Sequence, residues 1–460
     1  MDPVVWAKAR GAAVLGLGVS GVAAAQYLYA QGVSSLLLCD KNPKKACDPA
    51  VSELIARGAR PHFGEGWLAG LGDGLIVRSP GVRPDLPELT ERKRAGALVC
   101  GEIGLFLSAS PARLFAVTGS SGKSTVTSLV ASILSTAGLD AFAGGNLGAS
   151  LLPTLPRLTE KSIAVLELSS FQLMDLSPSP ERAAVLNLSE NHLNWHTDMA
   201  EYRAAKERVL GENTVAVLPA FDPALRALAG RRRGSLLFSA APPLSGERKP
   251  GEVWYAPDGG LVSGFSDEGV RRLFPTERLR LPGKHNLLNL LAAVALTDGI
   301  APVGAIEEAV KRFAGIAHRM QNAPGPAGVR CIDSSIDTTP ERTLATLSAL
   351  FPVRPILLLG GAGKGLSYRP LTEPIKRQAK GVILFGRAAD EIAAALDEGE
   401  VAYRVIPDFD RAVQTALSLA RPGDAILLSP ACTAYDAFKN FAERGDRFSA
   451  LCRAAEKQTK

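Results

Sequence analysis

A chain of 460 residues, 46% of them apolar and 21% charged, has material for about three globular domains and lacks the bias of a disordered or fibrous protein. Its net charge of +6 is spread without a basic tail, which suits an anionic small ligand and argues against a nucleic-acid arm. Six scattered cysteines with no C-x-x-C pair, and no uncharged apolar run of about 18 residues, argue against a disulfide scaffold, a cysteine-ligated metal cluster and a membrane-spanning helix.

The opening M-D-P-V-V-W-A-K-A-R has an early acid and no apolar signal core, so a cytoplasmic location is expected. Ala12 to Leu15 is predicted as a strand, followed by G-L-G-V-S-G (Gly16, Gly18, Gly21) and a helix over Val22 to Ala30. A second strand, Ser35 to Cys39, ends at Asp40, nineteen residues beyond Gly21, which matches the dinucleotide fingerprint. Such glycines read a pyrophosphate and not a nicotinamide, so Gly18, Val19, Ser20 and Asp40 are candidates for any diphosphate-linked ligand. Gly74 to Val77 is a further strand, and it ends in R-S-P-G-V. That places Ser79, Pro80 and Gly81 in a backbone-rich loop at a strand's carboxyl end, where folds of this kind bind ligands. Residues 1–108 therefore read as a Rossmann-like holder.

The stretch Leu114 to Thr127, L-F-A-V-T-G-S-S-G-K-S-T-V-T, organises the rest of the chain. Leu114 to Val117 is predicted as a buried strand stopping at Thr118, and Val126, Leu129, Val130 and Ile133 recur at helical spacing. Strand, glycine loop, lysine, hydroxyl and helix describe a phosphate cradle for ATP. Gly119, Ser120, Ser121 and Gly122 offer backbone N–H groups, and the helix N-terminus adds its dipole. Lys123 would reach the β/γ-phosphates, and a hydroxyl of Ser124 or Thr125 would bind Mg²⁺. G-G-N-L-G (Gly144 to Gly148) reads as a loop. Ile163 to Leu166 is a strand ending on Glu167, in V-L-E-L-S-S-F-Q-L, where a carboxylate suits a second Mg²⁺ ligand. Ala183 to Leu188 leads into L-N-L-S-E-N-H-L-N-W-H, whose His192 and His196 would share a face if helical. His192 suits metal or phosphate, and His196 suits a structural role. Y-R-A-A-K (Tyr202 to Lys206) puts a lysine on a helix. Arg231-Arg232-Arg233 reads as a solvated loop, and Leu281 to Ala293 starts a helix with Asn286 and Asn289 on nearby faces.

G-I-A-H-R-M-Q (Gly315 to Gln321) and the loose N-A-P-G-P-A-G suggest a boundary, giving segments 1–108, 109–315 and 316–460. Pro355 to Leu359, Gly381 to Phe385 and Ala425 to Leu428 are predicted strands of a third α/β domain. The first runs into G-G-A-G-K-G with Lys364, which suits an anionic group, and the last into S-P-A-C-T-A-Y-D-A-F-K-N-F.

In order and spacing, G-S-S-G-K-S-T, E-L-S-S-F-Q-L, H-N-x-x-N, H-R, G-G-x-G-K and S-P-A-C-x-x-x-D-x-F-K-N-F-x-x-R-G resemble the Mur ligase family over nearly the whole chain. The resemblance implies three α/β domains: a UDP-substrate domain, a central P-loop ATPase and a C-terminal Rossmann-like amino-acid domain. It is closest to members that join D-glutamate to UDP-N-acetylmuramoyl-L-alanine, using ATP and Mg²⁺ in peptidoglycan precursor synthesis; for this chain a monomer is expected. In that family Lys123 would hold the γ-phosphate. Ser124 or Thr125 and Glu167 would hold one Mg²⁺, with His192 on a second and Lys206 carbamylated beside it. Asn286, Asn289, Arg319 and Asp333 match adenine-nucleotide contacts, and Asn146 and Ser169 match contacts to the muramoyl-alanine portion. Thr338, Lys364, Ala434, Tyr435 and Phe441 match the amino-acid site, which Arg342 and Lys439 should border. Some residues depart from the pattern: Ile336 replaces a lysine, Ala434 a serine and Asn191 an acid. Other readings stay open on the residues alone. A nicotinamide oxidoreductase would leave Lys123 idle, a folylpolyglutamate synthase has no counterpart of the first segment, and a nucleotide sensor would not need Glu167, His192 and Lys206 together.

Overall fold

Short apolar runs ending at a glycine or a polar residue become parallel strands buried on both faces. In the computed structural model, which describes residues 2–147, 150–176, 178–189, 195–232, 234–240, 253–255, 261–266, 269–275, 284–313, 315–363 and 366–458, these strands build three sheets. By contact the chain divides into two compact units, Met1–Ala314 and Gly315–Lys460.

The first sheet has β1 (Ala12–Leu15), β2 (Leu36–Asp40), β3 (Arg60–Phe63), β4 (Leu75–Arg78) and β5 (Leu98–Gly101) in the order β3-β2-β1-β4-β5, all parallel. The chain runs outward from β1 to β3 and returns to β4, so the switch in strand order lies between β1 and β4. Leu15 is in register with both Cys39 and Arg78, which brings the glycine loop, Asp40 and the turn after β4 to one edge. The helix begins at Val19, three residues before the predicted start, because Gly18 already serves as its N-cap.

The second sheet follows the order β14-β13-β12-β11-β10-β9-β6-β8-β7. Its strands are β6 (Arg113–Thr118), β7 (Ala141–Gly145), β8 (Ile163–Glu167), β9 (Arg182–Val185), β10 (Val215–Pro219), β11 (Leu236–Ser239), β12 (Val253–Tyr255), β13 (Leu261–Ser266) and β14 (Gly269–Pro275). All pairings are parallel except those of β13 with its two neighbours. Gly144 and Gly145, read as loop, are the last residues of β7. Their missing side chains mark close approach and not a turn: a Cβ would lie 2.2 Å from Leu151 at Gly144 and 2.3 Å from the Glu167 carbonyl at Gly145. Arg232 also departs from expectation, since its guanidinium donates to the Leu210 and Gly211 carbonyls in the turn before β10. The helix Lys123–Thr136 buries Val126, Leu129, Val130 and Ile133, as their spacing predicts.

One apolar cluster runs through both sheets of this unit, joining Leu17, Leu28 and Phe106 to Ala116, Leu166 and Leu173. In the second unit, β15 (Gln321–Ala323), β16 (Arg330–Asp333), β17 (Ile356–Gly360), β18 (Gly381–Phe385), β19 (Arg404–Val405) and β20 (Ala425–Leu428) form a sheet ordered β15-β16-β20-β17-β18-β19. Only β15 runs antiparallel to its neighbour. Six strands stand where three were expected, because β15, β16 and β19 are short or polar and carry little periodic signal.

Candidate active site

The phosphate-type loop after β6 closes on its own unit. Lys123 folds back to donate to the Gly119 carbonyl at 2.9 Å and the Ser120 carbonyl at 3.3 Å. Gly122 caps the helix in the left-handed conformation, and Lys123, Ser124 and Thr125 form its first turn. A Cβ on Gly122 would sit 2.3 Å from Asn289 Oδ1, so the helix Lys284–Thr297 lays that asparagine against the loop. Asn286, one turn earlier on the same helix, is half-buried.

Two residues without a role in the sequence reading hold the loop. Asn187, just past β9, accepts the Ser121 N–H at 2.9 Å on its side chain and the Ser120 N–H at 3.0 Å on its carbonyl. The Tyr202 phenol shares a 2.8 Å hydrogen bond with the Ser120 hydroxyl. The spacing of Tyr202 and Lys206 was the available signal, since residues four apart share a helical face. Asp198 caps that helix (Met199–Glu207) by accepting the Glu201 N–H.

Lys206 is 2% exposed and donates to the Gly119 carbonyl at 2.9 Å and the Thr118 hydroxyl at 3.3 Å. Burial pushes its ammonium well below the ordinary lysine range, the Lys123 ammonium adds to the effect, and Glu167 opposes it. Glu167, at the end of β8, faces Val117 of β6 on one side and Gly145 of β7 on the other. Its Oε1 accepts from Asn146 Nδ2 at 3.0 Å, while its Oε2 is buried with no hydrogen-bond partner. A buried carboxylate oxygen left unsatisfied beside a phosphate-type loop is suited to a cation. Ser169 caps the short helix Ser170–Leu173 in a reciprocal box with Gln172.

His192 lies outside the described residues. His196 precedes the helix that begins at Met199 and is not part of it. It is 2% exposed, joins Glu201 at 3.0 Å and Ser170 at 2.9 Å, and burial lowers its pKa. That environment is structural.

At the edge of the first sheet both Asp40 oxygens are occupied by backbone. Oδ2 accepts the Leu17 N–H at 2.7 Å and Oδ1 the Asn42 N–H at 2.8 Å, so this acid shapes the glycine loop. Gly18 and Val19 are exposed and Ser20 half-buried at the open helix end. Ser79 donates to the Gly16 carbonyl at 2.5 Å, which ties the turn of Ser79, Pro80 and Gly81 to that loop.

In the second unit, Asp333 is fully buried and accepts from His318 at 2.8 Å and from the Ser335 N–H at 2.9 Å. Its carboxylate raises the His318 pKa. Thr338, two residues past Ile336, is half-buried in the same loop, where the Ile336 N–H donates to the carbonyl of His318, the residue before Arg319. Arg444, the arginine of the R-G that closes the S-P-A-C motif and given no role from sequence, is fully buried and donates to the carbonyls of Ser335, Cys432 and Thr433 at 3.0 Å each. It thereby fixes the loops after β16 and β20. Ala434 is buried, Tyr435 is 66% exposed, and the half-buried Phe441 accepts the Ser335 hydroxyl on its carbonyl at 2.8 Å. Lys364 lies outside the described residues.

Comparison with known proteins agrees with this arrangement. Residues 10–101 match the MurD-like N-terminal domain of Mur ligases, 117–297 the Mur ligase middle domain, and 318–432 the Mur ligase glutamate ligase domain. A UDP-N-acetylmuramoylalanine–D-glutamate ligase of Symbiobacterium thermophilum is 38% identical over 96% of this chain and 98% of its own length. One of the same name from Chromobacterium violaceum is 36% identical over 95% of this chain and 96% of its own. A solved murein peptide ligase from Psychrobacter arcticus, 18% identical, shares the fold with a TM-score of 0.53 over 96% of this chain and 98% of that one. With three family domains matched in order and relatives above 30% identity along nearly their whole length, the chain belongs to the Mur ligase family.

Proposed function

We propose that the chain is an ATP-dependent ligase that joins D-glutamate to UDP-N-acetylmuramoyl-L-alanine in peptidoglycan precursor synthesis. The observation that carries this reading is the convergence at the carboxyl ends of β6, β8 and β9, where the glycine loop, the unsatisfied Glu167 oxygen and the buried Lys206 meet. The setting is proposed to be the cytoplasm, and the working form a monomer.

A carboxylate is a poor acylating agent at neutral pH, so the substrate's alanyl carboxylate oxygen attacks the γ-phosphorus of ATP. ADP leaves and an acyl phosphate remains. The amine of the incoming amino acid then attacks the acyl carbon, phosphate departs with the bonding pair, and the amine gives up a proton. Lys123, released from the Gly119 and Ser120 carbonyls, stabilises charge on the transferring phosphoryl group. Asn187 takes up the Ser120 and Ser121 N–H groups and holds the loop in shape, so the N–H groups of the first helical turn, Lys123 to Thr125, are the ones proposed to bind the phosphates.

Glu167 fits a Mg²⁺ site, with Ser124 or Thr125 as hydroxyl partner and His192 as a further candidate. Bound there, Mg²⁺ would neutralise phosphoryl charge. Lys206 is a candidate for carbamylation, because burial disfavours its charged form and a neutral amine is nucleophilic toward CO₂. Asn286, Asn289, Arg319 and Asp333 are proposed nucleotide contacts. Gly18, Val19, Ser20, Asp40, Ser79, Pro80, Gly81, Asn146 and Ser169 are proposed for the UDP-linked substrate, and Thr338, Lys364, Ala434, Tyr435 and Phe441 for the amino acid. The test is phosphate release with ATP, Mg²⁺, UDP-N-acetylmuramoyl-L-alanine and single amino acids. Release with D-glutamate is expected. Release with L-glutamate, L-alanine or a diamino acid, but not with D-glutamate, would refute the specificity and leave the ligase reading standing.

A further inference from the structure

The turn after β4 is gripped from both sides by arginines that reach out of the first sheet. Arg78, the last residue of β4, is 1% exposed. Its Nε donates to Asp175 Oδ2 at 2.7 Å and its Nη2 to Asp175 Oδ1 at 2.5 Å, a two-pronged pair. The same guanidinium donates to the Phe171 carbonyl at 3.0 Å, in the helix capped by Ser169, and to the Val82 carbonyl at 2.8 Å, across its own turn. Arg83, just past the turn, donates to the Trp195 carbonyl and to Glu201 at 3.0 Å, and lies over the Trp195 ring at 4.9 Å. Beside them Ser150 donates to the buried Glu102 at 2.5 Å, a third tie between the two sheets.

Fully satisfied buried polar groups fix geometry more than they add stability. The side-chain hydrogen bonds of Arg78 go to the four-residue turn, at Val82, and to the segment Phe171 to Asp175 that forms and follows the helix after β8.

We propose that Arg78 and Arg83 are positioning residues that set the offset between the Ser79–Val82 turn and the Ser169 helix, so that one UDP-linked substrate reaches both at once. The proposal rests on the substrate reading above. A ligand held at two points binds tightly only while their separation matches its own length. Neither arginine touches the phosphate loop, so ATP binding is spared.

The test compares the parent protein with Arg78→Met/Asp175→Leu, which replaces the pair by apolar groups, and with Arg83→Gln, which leaves Glu201 bound to His196 and the Thr197 N–H. Replacing a buried ion pair by apolar residues is often neutral for stability, so Tm should stay within about 3 °C. KM for UDP-N-acetylmuramoyl-L-alanine should rise about tenfold or more in each variant, with KM for ATP changed less than about twofold. If the double variant fails to fold, Arg83→Gln alone decides, because that side chain is partly exposed and its loss leaves no buried charge. Unchanged KM for the UDP-linked substrate, or KM values for both substrates rising together with a fall in Tm, would overturn the proposal. No turnover by the parent protein would instead overturn the substrate reading beneath it.

Discussion

Gly122→Ala tests the geometry on which the nucleotide site depends. Gly122 has φ +80° and ψ −14°, a left-handed conformation that costs an L-residue about 1–2 kcal/mol. An added Cβ would sit 2.3 Å from Asn289 Oδ1, where real Cβ contacts do not fall below 3.0 Å, so the amide must retreat by at least 0.7 Å (3.0 − 2.3). Displacing a packed polar side chain costs about 1–3 kcal/mol more. The sum, about 2–5 kcal/mol, predicts a fall in Tm of at least about 4 °C. KM for ATP should rise by about tenfold or more, because the helix end and Asn289 shift together. Thermal melts and initial rates at varied ATP measure both effects. The double variant Gly122→Ala/Asn289→Ala removes the clash and keeps the backbone strain. It should therefore be at least about 1 kcal/mol more stable than the two single effects would sum to. Additivity to within about 0.3 kcal/mol would refute the reasoning, by showing that the two residues do not press on each other.

Lys123→Ala should lower kcat by about 10²-fold or more with an unchanged melting curve, as expected of a group acting on developing phosphoryl charge. Near-normal phosphate release would remove it from the site. If Lys206 is carbamylated, activity should fall in CO₂-depleted buffer and recover with bicarbonate. Lys206→Ala should then regain part of its rate from short carboxylic acids, and full activity without them would contradict the assignment. His318 has its pKa raised by Asp333, so its pairing stabilises the fold fully below the unfolded value near 6.5 and less as pH climbs through the raised folded value. The Tm gap between the parent and His318→Gln should therefore be widest in mild acid and narrow on the alkaline side of that window. A gap that widens with pH would refute the pairing.

Elements whose own residues fix their geometry were legible in the sequence. β1, β18 and β20 have the predicted bounds, and the helix after the phosphate loop buries the four residues its spacing named. What escaped was set by partners remote in the chain. Gly144 and Gly145 look like loop residues until Leu151 and Glu167 occupy the space a side chain would need. Asn187 acts on a backbone N–H 66 residues away and Arg444 on carbonyls 11 to 109 residues away, and no local pattern announces such contacts. Asp40 was found by its distance from the glycines, yet its carboxylate is engaged by backbone, which spacing alone does not reveal.

The apolar cluster shared by the first two sheets constrains how this enzyme can be re-engineered. A chimera that imports a foreign nucleotide-holding segment at residue 108 would cut through packing that includes Leu17, Phe106, Ala116 and Leu166. The donor would have to supply matching shapes at those positions, or leave two mismatched apolar faces with nothing to fill them. A suture at 314/315 is different in kind, since among the described residues each apolar cluster lies wholly on one side of it. Recombination among ligases of this architecture should therefore tolerate exchange of the last third of the chain far better than exchange of the first.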